Sequence, residues 1–124
     1  MTGMAEPPEH RHHAIDHVEL TVTDLAEAKR FYADAFGWEF NDYGAQYAGI
    51  RDGSGPEVGG LALGTEVRPG GPLVLLYSAD LDQTLASVTS AGGRLVNGPY
   101  DFPGGRRFHF RDTSGNELGV WSEV

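Results

Sequence analysis

At 124 residues with 40% hydrophobic side chains, the chain is long enough for one domain with its own core. It has no cysteine, which excludes disulfides and thiol catalysis, and its net charge of −9 argues against a nucleic-acid binder, which needs a basic patch. It has no apolar run of about 18 residues, so no membrane span is expected, and the opening MTGMAEPPEHRHH lacks the apolar stretch of a signal peptide. The expected location is the cytoplasm.

Residues 1–13 read as a disordered tail, and its His10, His12 and His13 as an incidental cluster. DHVELTV then alternates as a strand, with Val18, Leu20 and Val22 on one face and His17, Glu19 and Thr21 on the other. DLAEAKRFYADAFG reads as a helix whose Leu25, Ala28, Phe31, Tyr32 and Ala35 share a face. Asp24 is its N-cap, with Glu27 as capping-box partner, and Gly37 ends it. Three short strands follow in WEFNDY, QYAGIRD and EVGGLAL, and TEVRPGG is a linker. The second half repeats the order. PLVLLYS is a strand, and DLDQTLASVTSAGG a helix with Leu81, Leu85 and Val88 on one face. Its cap is Asp80 with Gln83, and Gly92 ends it. GRLVNG, RRFHFRD and NELGVWS are strands.

The chain is thus βαβββ written twice, as modules 14–66 and 70–124 of a single domain 14–124. RDGSGPEVGGL and RDTSGNELGVW make the repeat visible, each a tight turn feeding the last strand of its module. The offset is 56 residues at the helices and 60 at these turns, which sets Leu61 against Trp121. One module of this size is marginal alone, and two can close their sheets around a shared hollow.

Two stretches, DHVELTVTDLAEAKRFYADAFGWEF and FHFRDTSGNELGVWSE, resemble the vicinal oxygen chelate superfamily of glyoxalases, bleomycin-resistance proteins, fosfomycin-resistance proteins and extradiol dioxygenases. The resemblance covers residues 14–123. It implies an α+β fold in which the two modules form a cupped, eight-stranded incomplete barrel, and it implies a homodimer. It also implies a divalent metal held by the first and last strand of each module. Carried over, those ligand positions fall on His17, on Leu73 or Val74, on Gly59 and on Gly119, and only His17 can bind a metal. No metal or other cofactor is therefore expected.

Strand alternation gives the expected lining of the cup. His17, Glu19 and Thr21 face Leu73, Leu75 and Tyr77. Glu117, Gly119 and Trp121 are matched by Glu57, Gly59 and Leu61. Arg107, His109 and Arg111 point inward with Tyr47, while Phe108 and Phe110 pack under the helices. Aromatic walls with a few polar groups suit a small organic ligand, and the acidic charge permits a cationic one. Tyr47, Tyr77, Arg107, His109, Glu117 and Trp121 are the candidate ligand-binding residues. His17 and Glu19, two apart on one face, are the candidate catalytic pair, with the carboxylate orienting the imidazole as a base. The sequence supports a metal-free binder of a small molecule. The alternatives are an acid–base enzyme using His17, a metal-dependent lyase or dioxygenase with its ligands elsewhere, and a dimer with a vestigial cup. No P-loop, dinucleotide fingerprint or nucleophile elbow is present.

Overall fold

In the computed structural model, residues 10–124 are described. The expected disorder of residues 1–13 lies largely outside them. His10 does have a place: its Nδ1 sits 2.5 Å from Asp16 Oδ1.

The fold is α+β, with two tandem βαβββ modules. The first holds β1 (Val18–Val22), α1 (Leu25–Phe36), β2 (Glu39–Asp42), β3 (Tyr47–Arg51) and β4 (Gly59–Leu63). The second holds β5 (Leu75–Tyr77), α2 (Leu81–Ser90), β6 (Arg94–Phe102), β7 (Gly105–Arg111) and β8 (Glu117–Ser122). Each module makes its own open four-stranded sheet, in the orders β1-β4-β3-β2 and β5-β8-β7-β6. In both, the first and last strands run parallel and the other neighbours antiparallel.

Both helices start as their caps dictate. Asp24 accepts a hydrogen bond from the Glu27 amide at 2.9 Å, and Asp80 one from the Gln83 amide at 3.1 Å. Gly37 closes α1 with φ at 74°, a left-handed angle that glycine adopts without strain. Beyond Ala91, the α2 cap, Gly92 turns the chain the same way at φ 110°.

One apolar core serves both modules. Val22, Ala48, Ile50 and Leu61 of the first sheet cluster with Phe108, Phe110, Leu118 and Val120 of the second. The helices meet between them: Phe31 and Phe36 of α1 lie 6.1 and 5.8 Å from the Phe110 ring. Polar bonds tie the same seam. The buried Tyr32 hydroxyl donates to Asp112 at 2.7 Å, the Thr23 amide to Ser114 Oγ at 3.0 Å, and Asn116 Nδ2 to the Thr21 carbonyl at 2.8 Å. Among the described residues, no helix is long and apolar enough to cross a membrane.

The repeat is less regular than a fixed 60-residue offset implies. Phe110 lies opposite Leu118, whereas Ile50 lies opposite Gly59 and also accepts the Val58 amide. The first module thus carries one extra residue between β3 and β4, and from there the offset is 59. Gly60 corresponds to Gly119, Leu61 to Val120, and Ala62 to Trp121. Leu61 is therefore a core residue, fully buried, and not the lining counterpart of Trp121. The side-chain period of two makes one residue enough to exchange faces.

Candidate functional site

The face of each sheet turned away from the core is defined by cross-strand pairs. In the first sheet Glu19 lies opposite Gly60, Thr21 and Tyr47 opposite Ala62, and Asn41 and Gly60 opposite Gly49. In the second, Leu75 and His109 lie opposite Gly119, and Tyr77 and Arg107 opposite Trp121. Gly60 rather than Gly59 is thus the lining glycine of β4.

On the first face His17, Glu19, Tyr47 and Glu57 form one polar cluster. His17 Nε2 lies 3.1 Å from the Tyr47 hydroxyl and 3.5 Å from Glu19 Oε2. Glu57 accepts from Asn41 Nδ2 at 2.6 Å and from the Tyr43 hydroxyl. Those two bonds, Tyr43's the stronger, hold the Glu57 carboxyl below its ordinary value. Burial first, and then the Glu19 and Glu57 carboxylates, push the Tyr47 phenol up. Glycine makes these placements possible. A Cβ at Gly49 would meet the Glu57 carboxyl, and one at Gly60 the Tyr47 ring. His17 and Glu57 border a hollow of about 420 Å³ together with Asn41 and Arg51.

The second face is aromatic. Tyr77 and Trp121 rings meet edge to face at 5.1 Å, and Phe102 flanks Trp121 on another side at 6.1 Å. Tyr77 is 56% exposed, and its hydroxyl donates to Glu123 at 3.2 Å. That bond, with burial second, raises its phenol above the ordinary value. Beside this wall runs a chain of polar contacts. Glu117 Oε2 lies 3.1 Å from His109 Nδ1, and the Tyr100 hydroxyl lies 3.1 Å from His109 Nε2. Arg107 Nε donates to the same hydroxyl, with its guanidinium over the Tyr100 and Phe102 rings. His109 lies on the opposite face from Phe108 and Phe110, as alternation requires, but it is buried under these neighbours.

The lining residues thus fall into two clusters, His17 with Glu19 and Tyr47, and Tyr77 with Arg107, His109, Glu117 and Trp121. No hydrogen bond, ion pair or ring contact among the described residues joins them. Glu19 and Glu117 do line a common cleft of about 780 Å³, with the 65–74 linker along one side. Tyr100 and Phe102 were not among the sequence candidates. GRLVNG reads as a strand ending at Gly98, yet β6 runs through Pro99 to Phe102 with register shifts on the way. It is an edge strand, where a proline's missing N–H leaves no neighbour unpaired. The alternating Tyr100-Asp101-Phe102 was the available signal.

The family's metal needs about three donor side chains. Among the described residues no three His, Cys, Asp or Glu side chains are grouped to hold an ion. At Gly119 the Leu75 side chain occupies the place a longer residue would need, and at Gly60 the Tyr47 ring does.

The model of the Glyoxalase/Bleomycin resistance protein/Dioxygenase superfamily matches residues 14–120. An uncharacterized protein of Mycolicibacterium smegmatis is 33% identical over 90% of this chain and 96% of its own length. A protein of Mycobacterium bovis described as a putative glyoxylase, CFP32, is 28% identical over 95% of this chain, which spans 49% of that protein. Among solved structures, TnmS3 of a Streptomyces species, described as an antibiotic binding protein, superposes with a TM-score of 0.66 at 23% identity, covering 91% of this chain and 98% of its own. With two βαβββ modules, open sheets and a family match across nearly the whole described chain, the protein belongs to the glyoxalase/bleomycin resistance protein/dioxygenase superfamily.

Proposed function

We propose that the protein binds a small organic molecule on the aromatic face of its second module, without the metal that the family's enzymes use. The observation that carries this reading is the wall of Tyr77, Trp121 and Phe102, in which the Tyr77 ring is exposed and the other two are only half-buried. Exposed aromatic surface flanked by a few polar groups is a stacking platform. The absence of a donor at Gly119 and Gly60, each overlain by another side chain, supports a metal-free site. The likeness to an antibiotic binding protein supports binding without turnover. A cationic group on the ligand is matched by Glu123, beside Tyr77, and by Glu117. The protein acts as a homodimer in the cytoplasm. The open outer sheet faces, with Leu73, Leu75 and Tyr77 exposed, are surfaces that a second copy would shield.

Trp38 and Trp121 are the two tryptophans. A Trp38→Phe variant therefore leaves Trp121 as the reporter. Its fluorescence is titrated with bleomycin and with the planar cation proflavine. Saturable quenching is expected for at least one. Quenching that only rises linearly for both rejects the reading.

A second reading has its own observation. His17 is held between Tyr47 and Glu19 on an exposed face, the arrangement of a positioned general base. Under this reading the protein washes deuterium into the acidic C–H of dihydroxyacetone, and His17→Ala abolishes the exchange. No exchange above buffer by the wild type removes it.

A further inference from the structure

The two modules treat one position in opposite ways. In the first, Arg51 of β3 lies directly opposite Glu39 of β2, and Arg51 Nη2 is 3.0 Å from Glu39 Oε1. In the second, the same place in β7 is held by Arg111, but its partner across the strand is Arg94. Two like charges face each other at adjacent strand positions, a pairing that destabilises a sheet when nothing neutralises it.

Among the described residues neither guanidinium makes an ion pair or side-chain hydrogen bond. The buried, unpartnered Nε of Arg111 is shared by Arg51, so the difference between the modules is the missing carboxylate partner. Glu117 lies opposite Arg111 on the other side, in β8. Its carboxylate is directed instead to His109. The pair sits on the outer face of the sheet, the face that also carries His109 and Arg107, in a protein of net charge −9. Arginine at two facing strand positions supplies the kind of N–H donors that an oxyanion accepts from, and one anion between them would relieve the like-charge pairing.

We propose that Arg94 and Arg111 form an anion-binding site that takes a phosphate or carboxylate group of a small molecule. The first module carries its own carboxylate, Glu39, at the position where the second carries Arg94. This proposal rests on the arginine pair alone and stands whether or not the aromatic wall holds a ligand.

The test is thermal unfolding in inorganic phosphate and, separately, in benzoate, each against sodium chloride at matched ionic strength. The wild type is expected to gain stability saturably in one or both, and which anion acts distinguishes the two sources of the group. Arg111→Gln should raise the half-saturating concentration by about tenfold or more, the weight of one charged hydrogen-bond pair. Arg94→Glu should recreate the Glu39–Arg51 pairing of the first module. That variant is expected to melt higher than the wild type in chloride and to lose the anion response. Arg30→Gln, on α1, should keep it. The proposal is overturned if the wild type shows no saturable response to either anion, or if Arg94→Glu retains it. It is likewise overturned if sedimentation shows Arg94→Glu to break self-association while neither anion binds, since the pair would then serve a second copy's carboxylate.

Discussion

The two modules share a topology and differ in what they place on their outer faces. Where the second has Tyr77, Trp121 and His109, the first has Thr21, Ala62 and Gly49. Large rings in one half stand where the other has small side chains, and glycine lets polar groups lie across the first sheet: Glu57 over Gly49 and Tyr47 over Gly60. The inner faces show the same imbalance: Phe108 and Phe110 stand where the first sheet has Ala48 and Ile50. The second module therefore supplies most of the bulk on both faces. The first supplies the polar cluster and, through α1, the cover for Phe110. A duplicated fold has kept its backbone and divided its labour by side-chain size.

The sharpest way to break this asymmetry is through the core. Phe110→Ala removes the ring against which α1 rests and should cost about 3–5 kcal/mol. Its counterpart substitution Ile50→Ala should cost about 2–4 kcal/mol. Denaturant unfolding of both variants measures the difference, and equal losses would refute the claim that the seam depends on the second sheet.

The outer faces come next. Trp121→Ala should weaken binding of a quenching probe, followed by calorimetry, by about 1–3 kcal/mol. Ala62→Ser, at the matching place in the first module, should leave affinity unchanged. If both variants bind alike, the aromatic wall is not the platform.

Across the seam, Tyr32→Phe deletes the bond to Asp112 and should cost about 1–2 kcal/mol. Burial, and then the Asp112 carboxylate, push the Tyr32 phenol well above its ordinary value. A group whose folded value is raised contributes stability that is whole below its unfolded value and is lost as pH rises above it. The wild type should therefore lose stability above about pH 10 more steeply than Tyr32→Phe, as alkaline melting curves would show.

The smallest effect belongs to the first module's polar cluster. The Glu57 carboxyl is held low by Tyr43 and Asn41, so its contribution is present above its unfolded value and fades as pH falls through the folded one. The difference in melting temperature between the wild type and Glu57→Gln should shrink as pH drops from about 7 toward 3. A difference that is flat with pH would mean the bonds do not favour the charged form.

Much of this architecture was legible because it rests on local rules. The Asp24 and Asp80 caps, the helix-terminal glycines and the alternation that buries Phe108 and Phe110 need only nearest neighbours along the chain. The outer-face parity of His17, Glu19, Tyr77, His109 and Trp121 follows from the same period. Three things were not legible. The extra residue before β4 has no local mark, since EVGGL and ELGVW match best at an offset of 60, where Glu57 and Gly59 meet Glu117 and Gly119, and only the pairing of Gly59 with Ile50 reveals it. The extension of β6 past Pro99 depends on its being an edge strand. The division of the lining into two clusters depends on how the modules pack through their helices, a long-range property of the core.

That extra residue also bears on which changes of length the fold can take. The extra residue falls in the turn of residues 52–58, and the strand beyond it keeps Leu61 in the interior, just as Val120 is kept in the other half. The loop absorbs the insertion, and the core, not the reading of positions along the chain, decides which side chain points where. Removing one residue from this turn should therefore be tolerated, while removing one from Gly59–Leu63 should not.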